Sequence, residues 1–168
     1  TAVLLNFRGY DTLLEIAVLL IALIVLLTVA RRGDGAAAPA AVEPVLQTMA
    51  RLAAPLMALV AVYILWAGAF RPGGAFQAGA VLAAAGVLLH LARRLPAWAT
   101  PNVLLRAGLV AGFLLFLAIA AALLHEGALL KYPPAQAGLL ILAIESGLAV
   151  SLGLTLAGLF LFLSEEWQ

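Results

Sequence analysis

Apolar residues in this chain follow neither the spacing of an amphipathic surface helix nor the alternation of a half-buried strand; they come in long runs. Residues 16–30 contain one polar side chain, Thr28, and stop at Arg31-Arg32; with the polar start at 12–15 the segment reaches bilayer length. Uncharged runs follow at 52–70, 75–92 and 107–124, and a last run, 135–163, carries a single charge, Glu145. In hydrocarbon only helices and closed barrels satisfy every backbone group, so runs of this length predict an all-α polytopic membrane protein with about five transmembrane helices.

The breaks between runs set the organisation. The stretch RRGDGAAAPAAVEP mixes glycine, proline, alanine and charge with no apolar face, which predicts a linker at 33–44 between a one-helix module, 1–32, and a four-helix unit, 45–168. Arg71-Pro72-Gly73-Gly74 separates the second and third runs and predicts a tight turn or a broken helix end. Arg93-Arg94-Leu95-Pro96, His125-Glu126 and Lys131-Tyr132-Pro133-Pro134 mark the later breaks. The opening residues, TAVLLNFRGYDT, lack the pattern of a cleaved signal, so the first apolar segment is expected in the mature chain.

Composition narrows the function. Of 168 residues, 66% are hydrophobic and 10% charged, against about 25% charged in soluble domains. Little chain is left for a soluble catalytic domain. A net charge of +1 with scattered basic residues argues against nucleic acid, and the absence of cysteine excludes disulfides, thiolate catalysis and cysteine-held clusters. With no phosphate-cradling glycine loop, paired-histidine metal motif or serine triad, the chain is expected to be neither an enzyme nor a holder of metal or cofactor. When loops alternate sides, Arg31, Arg32, Arg51, Arg93, Arg94 and Arg106 fall together, opposite Arg8, Arg71 and Lys131. The richer side is expected to be cytoplasmic, with the N-terminus outside and the C-terminus inside.

Polar residues inside the apolar runs are the candidates for chemistry. Glu145 lies about ten residues into the last run, roughly 15 Å deep and near the bilayer midplane. Such a charge costs on the order of 2.5–3.5 kcal/mol on insertion scales, so it marks an ion or proton path or a neutral carboxyl hydrogen-bonded to a neighbouring helix. Asp11 and Glu15 share one helical face at the entry to the first span, with Thr12 beside them. They can present two carboxylates to a cation or proton, or serve as helix-start residues, Asp11 as cap. His90, near the end of the third run, is a candidate proton relay or a hydrogen-bonded interfacial side chain. Gly79, Ala83 and Gly86 in the third run and Gly138, Gly147, Ser151, Gly153 and Gly158 in the last favour close helix packing, including packing against other subunits.

Two segments resemble known proteins. NFRGYDTLLEIAVLLIAL, with Arg8-Gly9-Tyr10-Asp11-Thr12 followed by Glu15, resembles the C-terminal end of the large A subunit of Mrp-type multisubunit Na+/H+ antiporters, a segment that also occurs as a separate small protein in membrane-bound hydrogenases. WAGAFRPGGAFQAGAVLAAAGVLLHLARRLP resembles the signature turn and following helix of the antiporter B subunit, the MnhB family. Where that family usually reads Gly-His-Asn-x-Pro-Gly-Gly-Gly-Phe, this chain has Gly68, Ala69, Phe70, Arg71, Pro72, Gly73, Gly74, Ala75 and Phe76; the His and Asn are missing, the turn and the Phe are kept, and Gln77 follows.

The resemblance implies two neighbouring subunits fused in one chain of a prokaryotic inner or plasma membrane. It implies a non-catalytic subunit of a cation/proton antiporter that contributes helices and buried carboxylates to a path for Na+ and/or H+ at subunit interfaces. Its partners are then other membrane subunits of an antiporter-like or hydrogenase-like complex. The same module inside a redox-driven ion pump, and a purely structural scaffold, are the alternatives.

Overall fold

The computed structural model describes residues 9–29, 43–95, 103–126, 130 and 132–165. The Asp11 and His125-Glu126 side chains, Arg8, Arg31, Arg32, Lys131 and linker positions 33–42 lie outside what it describes.

The described chain forms five α-helices and no strand: α1 (Gly9–Val29), α2 (Pro44–Ala67), α3 (Ala75–Leu91), α4 (Val103–Ala122) and α5 (Ala137–Glu165), with a short 3-10 turn, Leu123–Glu126, after α4. Three segments, Pro44–Ala67, Val103–Ala122 and Ala137–Leu161, are long and apolar enough to cross a membrane; Thr12–Val25 of α1 and all of α3 are apolar too but shorter. Large apolar side chains such as Leu56, Leu59, Val62 and Trp66 point outward, as lipid-facing surfaces do.

Helix ends depart from the uncharged runs for local reasons. Pro44, placed in the linker by composition, is the first residue of α2, where a fixed φ suits a helix start and no N–H is wasted. Arg51 therefore rides within α2 and Arg106 within the first turn of α4. At the other end α2 stops at Ala67, so Phe70 falls in the turn, where its N–H, like that of Arg71, bonds the Ala67 carbonyl (2.9 and 2.8 Å).

Helix α5 is the centre of the bundle, flanked by α3 and α4; α2 packs on α3, and α1 lies along α5 and α4. Phe116, Ile144, Leu148 and Leu152 are almost fully enclosed in the core, joined by Ile16 of α1. Small residues set the spacing. A Cβ on Gly112 would overlap the Gly147 carbonyl oxygen, and one on Gly79 would lie 2.9 Å from Leu152 Cβ. Beside the first contact the Ser151 hydroxyl donates to the Leu109 carbonyl, tying α5 to α4. Gly138, grouped with these by sequence, has nothing near it among the described residues.

The same contacts give helix directions. Gly79 meets Ala149 to Gly153 and Gly86 meets Ala157, so α3 and α5 run the same way; Gly108 meets Leu154 and Gly112 meets Gly147, so α4 runs against them. Ala50 and Arg51 of α2 share a groove with Leu89 near the end of α3, so α2 opposes α3. Arg51, Arg93, Arg94 and Arg106 consequently gather at one end of the bundle, away from the Arg71 turn.

That turn is sunken. Gly79 stands level with the middle of α5, so Ala75 begins α3 roughly 15 Å below the start of α5 at 1.5 Å per residue. Irregular backbone at such depth persists only where it is packed in protein or lines a wet cavity.

Candidate functional site

The sunken turn is built by two glycines. A Cβ on Gly73 would lie 2.7 Å from the Ile64 carbonyl oxygen, so the chain can fold back over the end of α2 only without a side chain there. Gly74, with φ 123° and ψ −166°, occupies backbone space closed to other residues and precedes the first turn of α3. The Gly74 carbonyl accepts from Ala78 N–H at 3.0 Å, which starts the helix. No side chain caps this end, so the positive pole of α3 is left facing its surroundings.

Those surroundings are a cavity of about 250 Å³. Thr12, Glu15 and Ile16 line it from α1, Gly73, Ala75, Phe76 and Gln77 from the turn and α3, and Glu145, Leu148 and Leu152 from α5. On α1 and α5 the lining side chains stand three or four positions apart, one face apiece. The cavity has room for several water molecules and polar groups to hold them.

Its two carboxylates differ in setting. Glu145 is 2% exposed and its Oε1 has no hydrogen-bond partner among the described residues. Glu15 is exposed at the open side. A buried carboxyl oxygen without a donor among the described residues, on the same cavity as a helix N-terminus, favours a proton, a water or a cation as its partner. The apolar remainder of the wall, Ile16, Leu148 and Leu152, keeps bulk solvent from screening that interaction.

Among the sequence candidates, Glu15, Glu145, Gly73, Phe76 and Gln77 meet at this cavity. Gly74 shapes the turn and Pro72 stands exposed beside it. His90 is elsewhere: it lies in the last turn of α3, roughly 20 Å along the helix from Gln77, with a buried Nδ1 that has no partner among the described residues. Thr12, which the sequence sets beside Asp11 and Glu15 without a role of its own, lines the same wall, three positions from Glu15.

Among the described residues no cluster of histidine, cysteine and acidic side chains is arranged to hold a metal ion. Comparison with curated proteins and with solved structures gave no match. A family model does match: residues 45–163 fit the domain related to the MnhB subunit of the Na+/H+ antiporter.

Proposed function

Because the chain belongs to the family of domains related to the MnhB subunit of Na+/H+ antiporters, we propose that its sunken-turn cavity forms part of a cation/proton path completed by neighbouring subunits. The family is one of antiporter subunits rather than of catalytic enzymes, and it implies a multisubunit membrane complex. The single observation that carries the path is Glu145, enclosed deep in α5 with a carboxyl oxygen that has no partner among the described residues, on a cavity that also holds Glu15.

In this reading Glu145 takes up and releases a proton or Na+, while Glu15 relays it at the open side, with Asp11 one turn earlier on α1. Thr12 and Gln77 hold water or ion with neutral oxygens, and the N-terminus of α3 tempers the two negative charges. The path is open on the α1 side, so the chain by itself does not transport. His90 is the candidate relay at the far, arginine-rich end. That end faces the cytoplasm, which puts the N-terminus outside and the C-terminus inside a prokaryotic inner or plasma membrane.

Residues 1–32 act as a tethered neighbour of the four-helix unit. The packing of α1 against α5 and α4 and its share in the cavity wall support this. The linker then raises the effective concentration of one module at the other.

The test is exchange of Na+ for H+ by the assembled complex in proteoliposomes, comparing wild type with Glu145→Gln and Glu15→Gln. Loss of exchange with normal assembly supports the path. Full exchange in both variants leaves a scaffold.

A further inference from the structure

A second feature lies farther along α3, toward its C-terminal end and away from the carboxylate cavity. Between α2 and α3, toward the arginine-rich end, lies an open groove of about 450 Å³. Its walls are Ala50, Ala54 and Ala58 on α2 and Ala85 and Gly86 on α3, with Leu82 and Leu89 at its ends. On α2 it runs from position 50 to 58, roughly 12 Å along the axis. The walls are almost wholly apolar, and polarity enters only at the rim, through Arg51.

Three observations at the rim point to one occupant. Arg51 is exposed where the apolar groove meets the polar end of the bundle, and Arg93 and Arg94 emerge from α3 at that same end, also exposed. Neither Arg51 nor Arg93 is paired with a described carboxylate, so positive charge at the rim is unanswered within the described residues. Pro55, part of the groove, has no N–H to offer the Arg51 carbonyl one turn earlier. The end of α3 strengthens the pattern. Arg94 N–H bonds the Leu89 carbonyl (2.8 Å) and Arg93 N–H bonds the His90 carbonyl (2.9 Å), a helix stop in which Arg93 holds φ 55°, the position usually given to glycine.

We propose that this groove is a binding site for an anionic phospholipid, with the upper part of one acyl chain between α2 and α3 and its phosphate held by Arg51 together with Arg93 or Arg94. An apolar slot beneath exposed arginines matches a molecule that is apolar below and anionic above, and the planar guanidinium suits bidentate phosphate contact. A hydroxylated headgroup can also donate to the Arg51 carbonyl.

The experiment titrates phosphatidylglycerol or phosphatidylcholine into the delipidated full chain in detergent and counts retained lipids by native mass spectrometry. Wild type is expected to retain one phosphatidylglycerol in preference to phosphatidylcholine. Arg51→Gln and the double variant Arg93→Gln/Arg94→Gln each weaken that retention at least about fivefold, with phosphatidylcholine unchanged. Ala58→Leu, which fills the slot and leaves the charges, lowers retention as well. Equal retention of the two lipids by wild type, or undiminished phosphatidylglycerol retention in Arg51→Gln, overturns the proposal. So does a photo-crosslink from position 58 in the assembled complex that captures a protein subunit in place of lipid.

Discussion

Glu15 of α1 and Glu145 of α5 line one cavity, the first at its open side and the second enclosed at its back wall. They are brought to comparable depth because α1 packs along α5 and presents Thr12, Glu15 and Ile16 on a single face. Their unequal exposure predicts unequal consequences. Glu145→Gln is expected to lower Na+/H+ exchange by the assembled complex by about a hundredfold or more, the scale on which a positioned proton-transfer group acts. Glu15→Gln, at the open side where the protein encloses the carboxylate less, should cost less. Exchange rates in proteoliposomes, normalised to assembled complex, check the order.

Gly74 is the conformational pivot of the sunken turn. Gly74→Ala places a Cβ at φ 123°, with an expected cost of roughly 1–3 kcal/mol. Relief of that strain is expected to shift Gln77 and the start of α3, which line the cavity. Exchange should therefore fall together with thermal stability in detergent, whereas Pro72→Ala, in the exposed part of the turn, should change both far less.

Gly112 allows α4 to lie against the Gly147 carbonyl. Gly112→Ala overpacks a core contact, for which about 1–3 kcal/mol of destabilisation is usual. Gly138→Ala is the control, since nothing surrounds it among the described residues. Thermal unfolding of the two variants in detergent should separate them, with only the first losing stability.

Tyr132, just before α5, has a buried hydroxyl without a partner among the described residues, and burial pushes its phenol above the ordinary value of 10.0. The neutral phenol is the form the fold tolerates. Its contribution is therefore fully present below pH 10 and is lost as pH rises through the higher value of the folded state. Tyr132→Phe should leave stability near neutral pH unchanged or slightly raised, because no hydrogen bond is broken. Above pH 10 the variant should unfold at a higher temperature than wild type, a difference that a pH series of melting curves reads directly.

Much of this architecture was legible in the chain before folding was considered. Uninterrupted apolar runs leave the backbone only helical solutions in hydrocarbon, so the five helices of the structure and its all-α class follow from residue order alone. Glu145 stood out because it is the one charge in the last run. Helix ends were less legible, since they depend on local backbone chemistry: Pro44 begins α2 ahead of the uncharged run, and Ala67 ends it before Phe70.

Two things belonged to the tertiary structure. The first is the depth of the Pro-Gly-Gly turn, which depends on which residues of α3 and α5 stand level, a matter settled by the fit of Gly79 against Ala149 and Leu152. The second is the sorting of the polar candidates, which joins Glu15, Gln77 and Glu145 at one cavity and sends His90 to the other end. Spacing along one helix tells which side chains share a face; which faces meet, and at what height, is decided by packing between helices far apart in the chain.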